Sequence, residues 1–243
     1  MLKTYEYRLY PTKKQEELLA KHFGCVRLVY NKAFELQEKL YKEEKKHLSY
    51  ESLCKELTKW KKTEEFNFLY EVSNPALQQS LKHVCCAYDN FYRIYKKNKS
   101  GIKFKKKSIE RQKREPNYHF TTKDIEGYPR FKNKRSKQSY SVINHCYVLF
   151  NENKVRIPKF QEGIKARIHR TFEGKIKTCT VKKSTTGKYY ISVLVEDSLL
   201  LPNKEQIIND KTVGIDLGIK SFIITSNNEV VDNPKFLDNS TKT

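Results

Sequence analysis

Acidic residues are scarce in this chain. Its 243 residues carry 28 Asp and Glu against 49 Lys and Arg, a formal charge of +21. Such an imbalance makes the compact state repel itself unless a polyanion neutralises it, so nucleic acid is the leading partner. Charge alone also suits an anionic membrane or a ribosomal assembly. The sequence has no apolar run near the roughly 18 residues of a membrane-spanning helix and no apolar signal segment at its start. These absences exclude a membrane partner and lead to the expectation of a cytoplasmic protein. The six cysteines (Cys25, Cys54, Cys85, Cys86, Cys146 and Cys179) include no C-x-x-C pair. Zinc knuckles need such paired ligands on tight turns, so no zinc site is expected and the thiols read as reduced and mostly buried. No internal repeat is visible. What remains is 37% hydrophobic and 12% aromatic, enough in a chain of this length to bury a core.

Periodicity divides the chain. Residues Leu2 to Tyr10 alternate as a strand that Pro11 stops, making 1–10 a strand by itself. Thr12 with Gln15 has capping-box spacing, and Leu18, Leu19, Phe23, Val26, Tyr30, Ala33 and Phe34 follow at helical intervals. A second helix is expected from Ser49 through Leu53, Leu57 and Trp60. A third starts at Asn74-Pro75, read as a cap followed by proline, and runs through Leu77, Leu81, Val84, Tyr88, Phe91 and Tyr95. Residues 11–100 thus form a helical block. Between Arg93 and Lys137 stand 17 Lys and Arg against 4 Asp and Glu, a surplus of 13 of the total 21. That stretch, with 101–139 as its body, is the basic segment. Strands are then predicted at 140–150, 154–157, 163–168, 175–183 and 188–196, the last two joined by Ser184-Thr185-Thr186-Gly187. Strands in series over 140–197 suggest a small barrel, 198–211 reads as a linker, and 212–243 opens a strand pair turning at Asn227-Asn228. The class is α+β.

Three places carry chemistry. In the basic segment, Lys105, Lys106 and Lys107, and then Arg130, Lys132 and Arg135, suit phosphate, while Phe131 interleaved among them suits base stacking. The bland alternative is a solvated or disordered basic loop. The helix at Asn74 reads equally as an ordinary amphipathic one, and its aromatic face as core. The third place is Val213-Gly214-Ile215-Asp216-Leu217-Gly218, an apolar strand with a carboxylate in its pattern. An unpaired buried acid costs on the order of several kcal/mol, so a cation should meet Asp216. A divalent metal is one such partner, a nearby Lys another, and capping of the turn at Gly218 a third reading. D-L-G after a strand also resembles the phosphate loop of actin-like ATPases, but Ile219 and Lys220 follow where Thr or Ser would hold nucleotide.

Seven segments together resemble the TnpB family, the OrfB proteins of bacterial and archaeal insertion sequences, related to type V CRISPR effector nucleases. In order they are KTYEYRLYPT from Lys3, FGCVRLVYN from Phe23, NPALQQSLK from Asn74, YPRFKNKR from Tyr128, GKIKTCTV from Gly174, GKYYISVLVE from Gly187 and VGIDLGIKSF from Val213. The resemblance implies a wedge-type β-barrel made of the first strand and 140–197, a helical recognition insert, and the first strands of an RNase H-like (RuvC) domain from Thr212. It implies an RNA-guided DNA endonuclease with guide RNA and double-stranded target DNA as partners. Asp216 would be its first catalytic carboxylate and a ligand of Mg²⁺. Reading of a target-adjacent DNA motif would fall on Tyr50, Asn74, Gln78 and Asn144, amides being suited to adenine edges. The family's second catalytic Glu, zinc ribbon and final Asp have no counterpart here, and Glu229, Asp232 and Asp238 lie too close to Asp216 to replace them. The expectation is therefore an N-terminal portion ending just after the first RuvC motif, which binds nucleic acid without cleaving it. The alternatives are a truncated regulator and a decayed transposon product.

Overall fold

A computed structural model describes residues 1–97, 103–115, 117–197 and 212–236. The expected linker 198–211 and Asp238 lie outside the described residues. The chain divides into two units, 1–199 and 200–243.

The first unit begins with β1 (Leu2–Tyr10), whose Tyr7 and Leu9 face inward. Thr12 then caps α1 (Lys13–Glu44) with the full reciprocal capping box to Gln15. This helix runs 32 residues and buries Leu19, Phe23, Val26, Val29, Ala33 and Phe34 along one stripe. Ser49 caps α2 (Tyr50–Lys61), which buries Leu53 and Leu57. A 3-10 helix, Glu64–Glu71, not expected from the sequence, packs Phe66 and Leu69 inward. The third long helix, α3 (Asn74–Lys97), starts one residue earlier than the Asn-Pro reading implied. Ser73 is its cap, its hydroxyl accepting from the Ala76 amide at 3.3 Å, so the Asn74 carboxamide is left free for other partners. As expected, Tyr88 and Phe91 of its aromatic face are core residues.

The strands are β2 (Gln138–Ile143), β3 (Tyr147–Leu149), β4 (Lys154–Ile157), β5 (Phe160–Arg167), β6 (Lys175–Lys183) and β7 (Tyr189–Glu196). With β1 they form one antiparallel sheet in the order β2-β6-β7-β1-β5-β4-β3. The α+β class holds, but the barrel is corrected. Among the described residues nothing pairs β2 with β3, so the sheet is open. The expected continuous strand over 140–150 is broken at Asn144, whose φ of 55° is left-handed. Its amide makes a last bond to the Lys177 carbonyl at 3.1 Å, after which the chain leaves β6 for the far end of the sheet. Helices α1 and α3 pack against β2, with the His22 and Phe23 rings 5.1 and 5.6 Å from that of Tyr140. One core joins the sheet's inner face to the helices.

The second unit contains β8 (Ile215–Leu217), β9 (Ser221–Thr225) and β10 (Val230–Asp232) in one antiparallel sheet, ordered β10-β9-β8. Its turn lies where expected, with Asn228 at a φ of 64°. No described helix is long and apolar enough to cross a membrane.

Candidate nucleic-acid interface

The basic segment is folded onto the helical block by its few polar and acidic partners. Asn31 of α1 acts as a one-residue strand: its carboxamide donates to the Lys132 carbonyl and accepts from the Lys132 amide, both at 2.8 Å. Two turns further along α1, Glu38 takes the Tyr88 hydroxyl at 2.7 Å, a short bond from the Tyr128 hydroxyl, and an ion pair from Lys123. Burial alone would raise the Glu38 pKa, but the hydrogen bonds from Lys123, Tyr128 and Tyr88 together lower it, and Glu38 is held as an anion. The phenols of Tyr88 and Tyr128 move up, by burial first and then by this carboxylate.

A second carboxylate organises the segment itself. Asp124 accepts from the Ser108 hydroxyl at 2.7 Å, the Tyr118 hydroxyl at 2.7 Å, and the Thr121 amide and hydroxyl at 2.8 and 2.7 Å. Desolvation opposes its charge, and these four donors overcome it, so its pKa falls. Ser108 belongs to α4 (Lys106–Arg114), an unexpected helix that Asp124 thereby ties to the turn at Thr122–Asp124. The Phe104 and Phe120 rings stack beside it at 4.1 Å. The disordered-loop alternative fails for the described residues.

This scaffold sorts the predicted phosphate-binding residues. Lys106, Lys107, Arg130 and Arg135 are exposed. Lys132 lies over the Tyr30 ring at 4.0 Å, and burial lowers its pKa. Lys105 donates to the Lys123 carbonyl and lies 5.9 Å from the Tyr128 ring centroid. Phe131 packs edge-on against Phe34 at 4.7 Å, yet keeps 56% of its surface open.

The four residues assigned to DNA reading do not form one cluster. Asn74 and Gln78 share a face of α3, one turn apart. Lys61, at the end of α2, donates to the Asn74 carboxamide at 3.2 Å and lies 4.3 Å from the Tyr70 ring. Tyr50 is at the opposite end of α2, beside Cys54 and Cys85, where burial first and then its bond to Cys54 push its phenol up to about 12. Because Cys85 stands three turns beyond Asn74, Tyr50 lies ~16 Å along α3 from Asn74. Asn144 occupies the left-handed turn described above, a role its short side chain suits.

Sequence reading missed His22, which sets the start of α3. Its Nε2 accepts the Ser73 amide at 3.1 Å, so Nδ1 carries the proton and donates to the Leu18 carbonyl at 2.8 Å. Burial depresses its pKa. The signal for His22, Asn31 and Glu38 was present as polar residues interrupting the inward stripe of α1, a stripe read only for its apolar members.

Asp216 differs from its expectation. It sits in β8 opposite Ile224 but is exposed, because no layer covers this three-stranded sheet among the described residues of its unit. It therefore bears no burial cost, and among the described residues its carboxylate makes no hydrogen bond or ion pair. Asp232 stands two strands away and is offset along the sheet, facing Ser221 where Asp216 faces Ile224, which puts it roughly 14 Å off at ordinary strand spacing and rise. No group of three His, Cys, Asp or Glu able to hold a metal occurs among the described residues. Mg²⁺ takes six oxygens in near-octahedral geometry, so this donor set does not fit it.

Residues 1–46 match the helix-turn-helix domain of the IS605 OrfB proteins. A protein of Streptomyces pristinaespiralis that carries the provisional name RNA-guided DNA endonuclease is 32% identical over 235 residues, which is 96% of this chain and 50% of that protein. The Escherichia coli K12 protein InsQ, named in the same provisional way, is 25% identical over 231 residues, 95% of this chain and 49% of its own. The chain is a relative of the TnpB/OrfB proteins. It spans about half the length of the curated relatives it matches. The domain's name does not describe its shape in this TnpB-like chain: residues 1–46 hold β1 and then the single uninterrupted helix α1, with no turn between two helices. The match thus carries kinship and not the groove-docking geometry of a helix-turn-helix pair.

Proposed function

We propose that this chain is the nucleic-acid-binding N-terminal part of a TnpB-like, RNA-guided DNA endonuclease, engaging guide RNA and double-stranded target DNA. The observation that supports this best is the ordered basic segment, whose scaffold of Asn31, Glu38 and Asp124 fixes the backbone while Lys106, Lys107, Arg130 and Arg135 remain open to solvent. Fixed cations on a folded platform bind phosphates with less ordering cost than a flexible tail. The names of the relatives supply the RNA and the DNA. Asn74 and Gln78, one turn apart on α3, are the pair proposed to read bases, while Tyr50 and Asn144 stand apart from them.

The test is filter binding to structured RNA across a salt series. The triple variant K106E/K107E/R130E should bind more weakly and show a shallower salt slope, by about 0.7 to 0.9 for each phosphate that is no longer neutralised. An unchanged slope overturns the assignment.

The proposal extends to activity. With no group of three metal-ligating side chains around Asp216 among the described residues, we infer that the chain alone does not cut DNA. In a complete family site Mg²⁺ would supply water activation and leaving-group stabilisation. Incubation with Mg²⁺, guide RNA and a target plasmid should leave the plasmid intact. Cleavage that disappears in D216A would overturn this reading and leave the binding reading in place.

A further inference from the structure

A cavity of about 750 Å³ opens on the outer face of the large sheet, away from the core. Its size lies within the roughly 300–1,000 Å³ of ligand clefts. The floor comes from the outward-facing residues of three neighbouring strands. Tyr190 of β7 stands directly between Arg8 of β1 and Lys182 of β6 in the sheet register. Its ring is half-buried, and the Lys182 Nζ lies 5.8 Å from its centroid. One wall is the loop Lys134–Gln138, held by the Asn133 carboxamide accepting from the Ser136 amide at 2.9 Å and by the Gln138 side-chain carboxamide donating to the Lys134 carbonyl at 2.7 Å. The other wall is the β6–β7 hairpin, closed by the Ser184 amide on the Lys188 carbonyl at 2.8 Å.

The charge is one-sided. Of the lining residues only Glu6 is acidic, and it is already engaged by the Lys182 ammonium and by the Ser192 hydroxyl at 3.1 Å. Lys134, Arg135 and Lys137 line the loop wall and make no ion pair among the described residues, whereas the Lys183 Nζ lies 5.1 Å from the ring centroid of Tyr189, its inward-facing partner in the register. A compact anion such as free phosphate would use one or two of these cations and leave the ring idle. A duplex would present phosphates but no free base face. A flexible strand of linked anions carrying aromatic rings uses both features: the cationic loop wall for phosphates, the floor for a base.

We infer that this cavity is a subsite for single-stranded polynucleotide, with one base stacked on Tyr190 and the flanking phosphates on Arg135 and Lys137 of the loop wall. The inference rests on the nucleic-acid reading above and adds a place, a strandedness and a stacking residue that neither the basic segment nor the relatives' names provide. The chemistry is shared by RNA and DNA, and the two are separate arms of the test.

The experiment measures binding of a fluorescent hexanucleotide, as RNA and as DNA, and of a blunt 12-base-pair duplex to the full chain. Y190L keeps apolar bulk but removes the π-face, and should weaken hexanucleotide binding about tenfold. Y190F keeps the face and should stay within about twofold of the parent. R135E should weaken the same ligand and flatten its salt slope by about 0.7. Equal affinity of Y190L and parent for the hexanucleotide, with both variants melting normally, overturns the subsite, as does a duplex that binds as tightly as the single strand and is equally weakened by Y190L. Either result leaves the charge-reversal test of the basic segment standing, so failure here is distinct from failure of the broader function. The stronger of the RNA and DNA arms names the strand the subsite takes.

Discussion

Glu38 joins three elements that the chain brings together from far apart: α1 that bears it, Tyr88 on α3, and Tyr128 with Lys123 in the basic segment. Replacing it with Ala leaves two phenols without their acceptor, and hydrogen bonds to a charged group are worth about 1.5–3 kcal/mol. E38A should lower stability by that amount in urea unfolding and speed amide exchange across Tyr128–Lys132. Its folded pKa lies below the ordinary 4.5, so its contribution is complete above that value and is lost as pH falls through the lowered folded one. His22 acts in a higher window. Its pKa is depressed from 6.5, so the unfolded chain takes a proton first, and stability should decline as pH drops below 6.5 towards the folded value. Melting from pH 8 to 5 on H22Q beside the parent checks this: the parent should lose more stability than the variant. Only the place of these two residues on the inward stripe of α1 was legible from the sequence, not their roles. Periodicity identifies which side of a helix turns inward but not which polar residue on that side has found a partner, because the partners at Ser73, Tyr88 and Tyr128 are set by tertiary packing. Exposure of Asp216 has the same origin: its pattern reads as a buried strand, and burial depends on a covering layer that the strand's own residues do not encode.

At the scale of elements the sequence was more informative. The capped starts of α1 and α2 and the β6–β7 hairpin follow from local chemistry and were visible as such, whereas α4 was hidden within a run of cations that give helical periodicity no apolar stripe to act on. The break at Asn144 and the open sheet were also hidden, since a left-handed asparagine looks like any other in a strand pattern. One glycine illustrates what local reading can still add. Gly174, just before β6, has a φ of 124°, and a Cβ there would lie 2.4 Å from the Glu196 carbonyl oxygen. G174A should therefore destabilise the β6–β7 pairing by roughly 1–3 kcal/mol from backbone strain alone, and further by the clash. Urea midpoints of G174A against G187A separate the two effects, because Gly187 also has a positive φ of 79° but an open surround. G174A should be the costlier by a clear margin.

For the whole molecule, a charge of +21 couples folding to its ligand. A polyanion that binds only the folded chain stabilises it by mass action, about 2.7 kcal/mol at a hundredfold excess over Kd, which for a chain of this size is on the order of 5–10 °C in Tm. Thermal melts with and without structured RNA at low salt should show that rise, and it should shrink as salt is added; an unmoved Tm would mean no selective affinity for the folded state. The small sheet of the second unit responds to salt differently. It exposes Ile215, Leu217, Phe222 and Val230 at 50–70%, and its outer strands β8 and β10 have no further partner among the described residues. Such edges invite pairing between molecules, and mutual repulsion is what keeps them apart. At ~0.1 M salt the Debye length is already near 10 Å, so salt that strips the protein of nucleic acid also removes the barrier to edge-to-edge association. Colloidal stability and ligand affinity thus share one variable, and the protein freed of its polyanion in concentrated salt is the form that scatters light first.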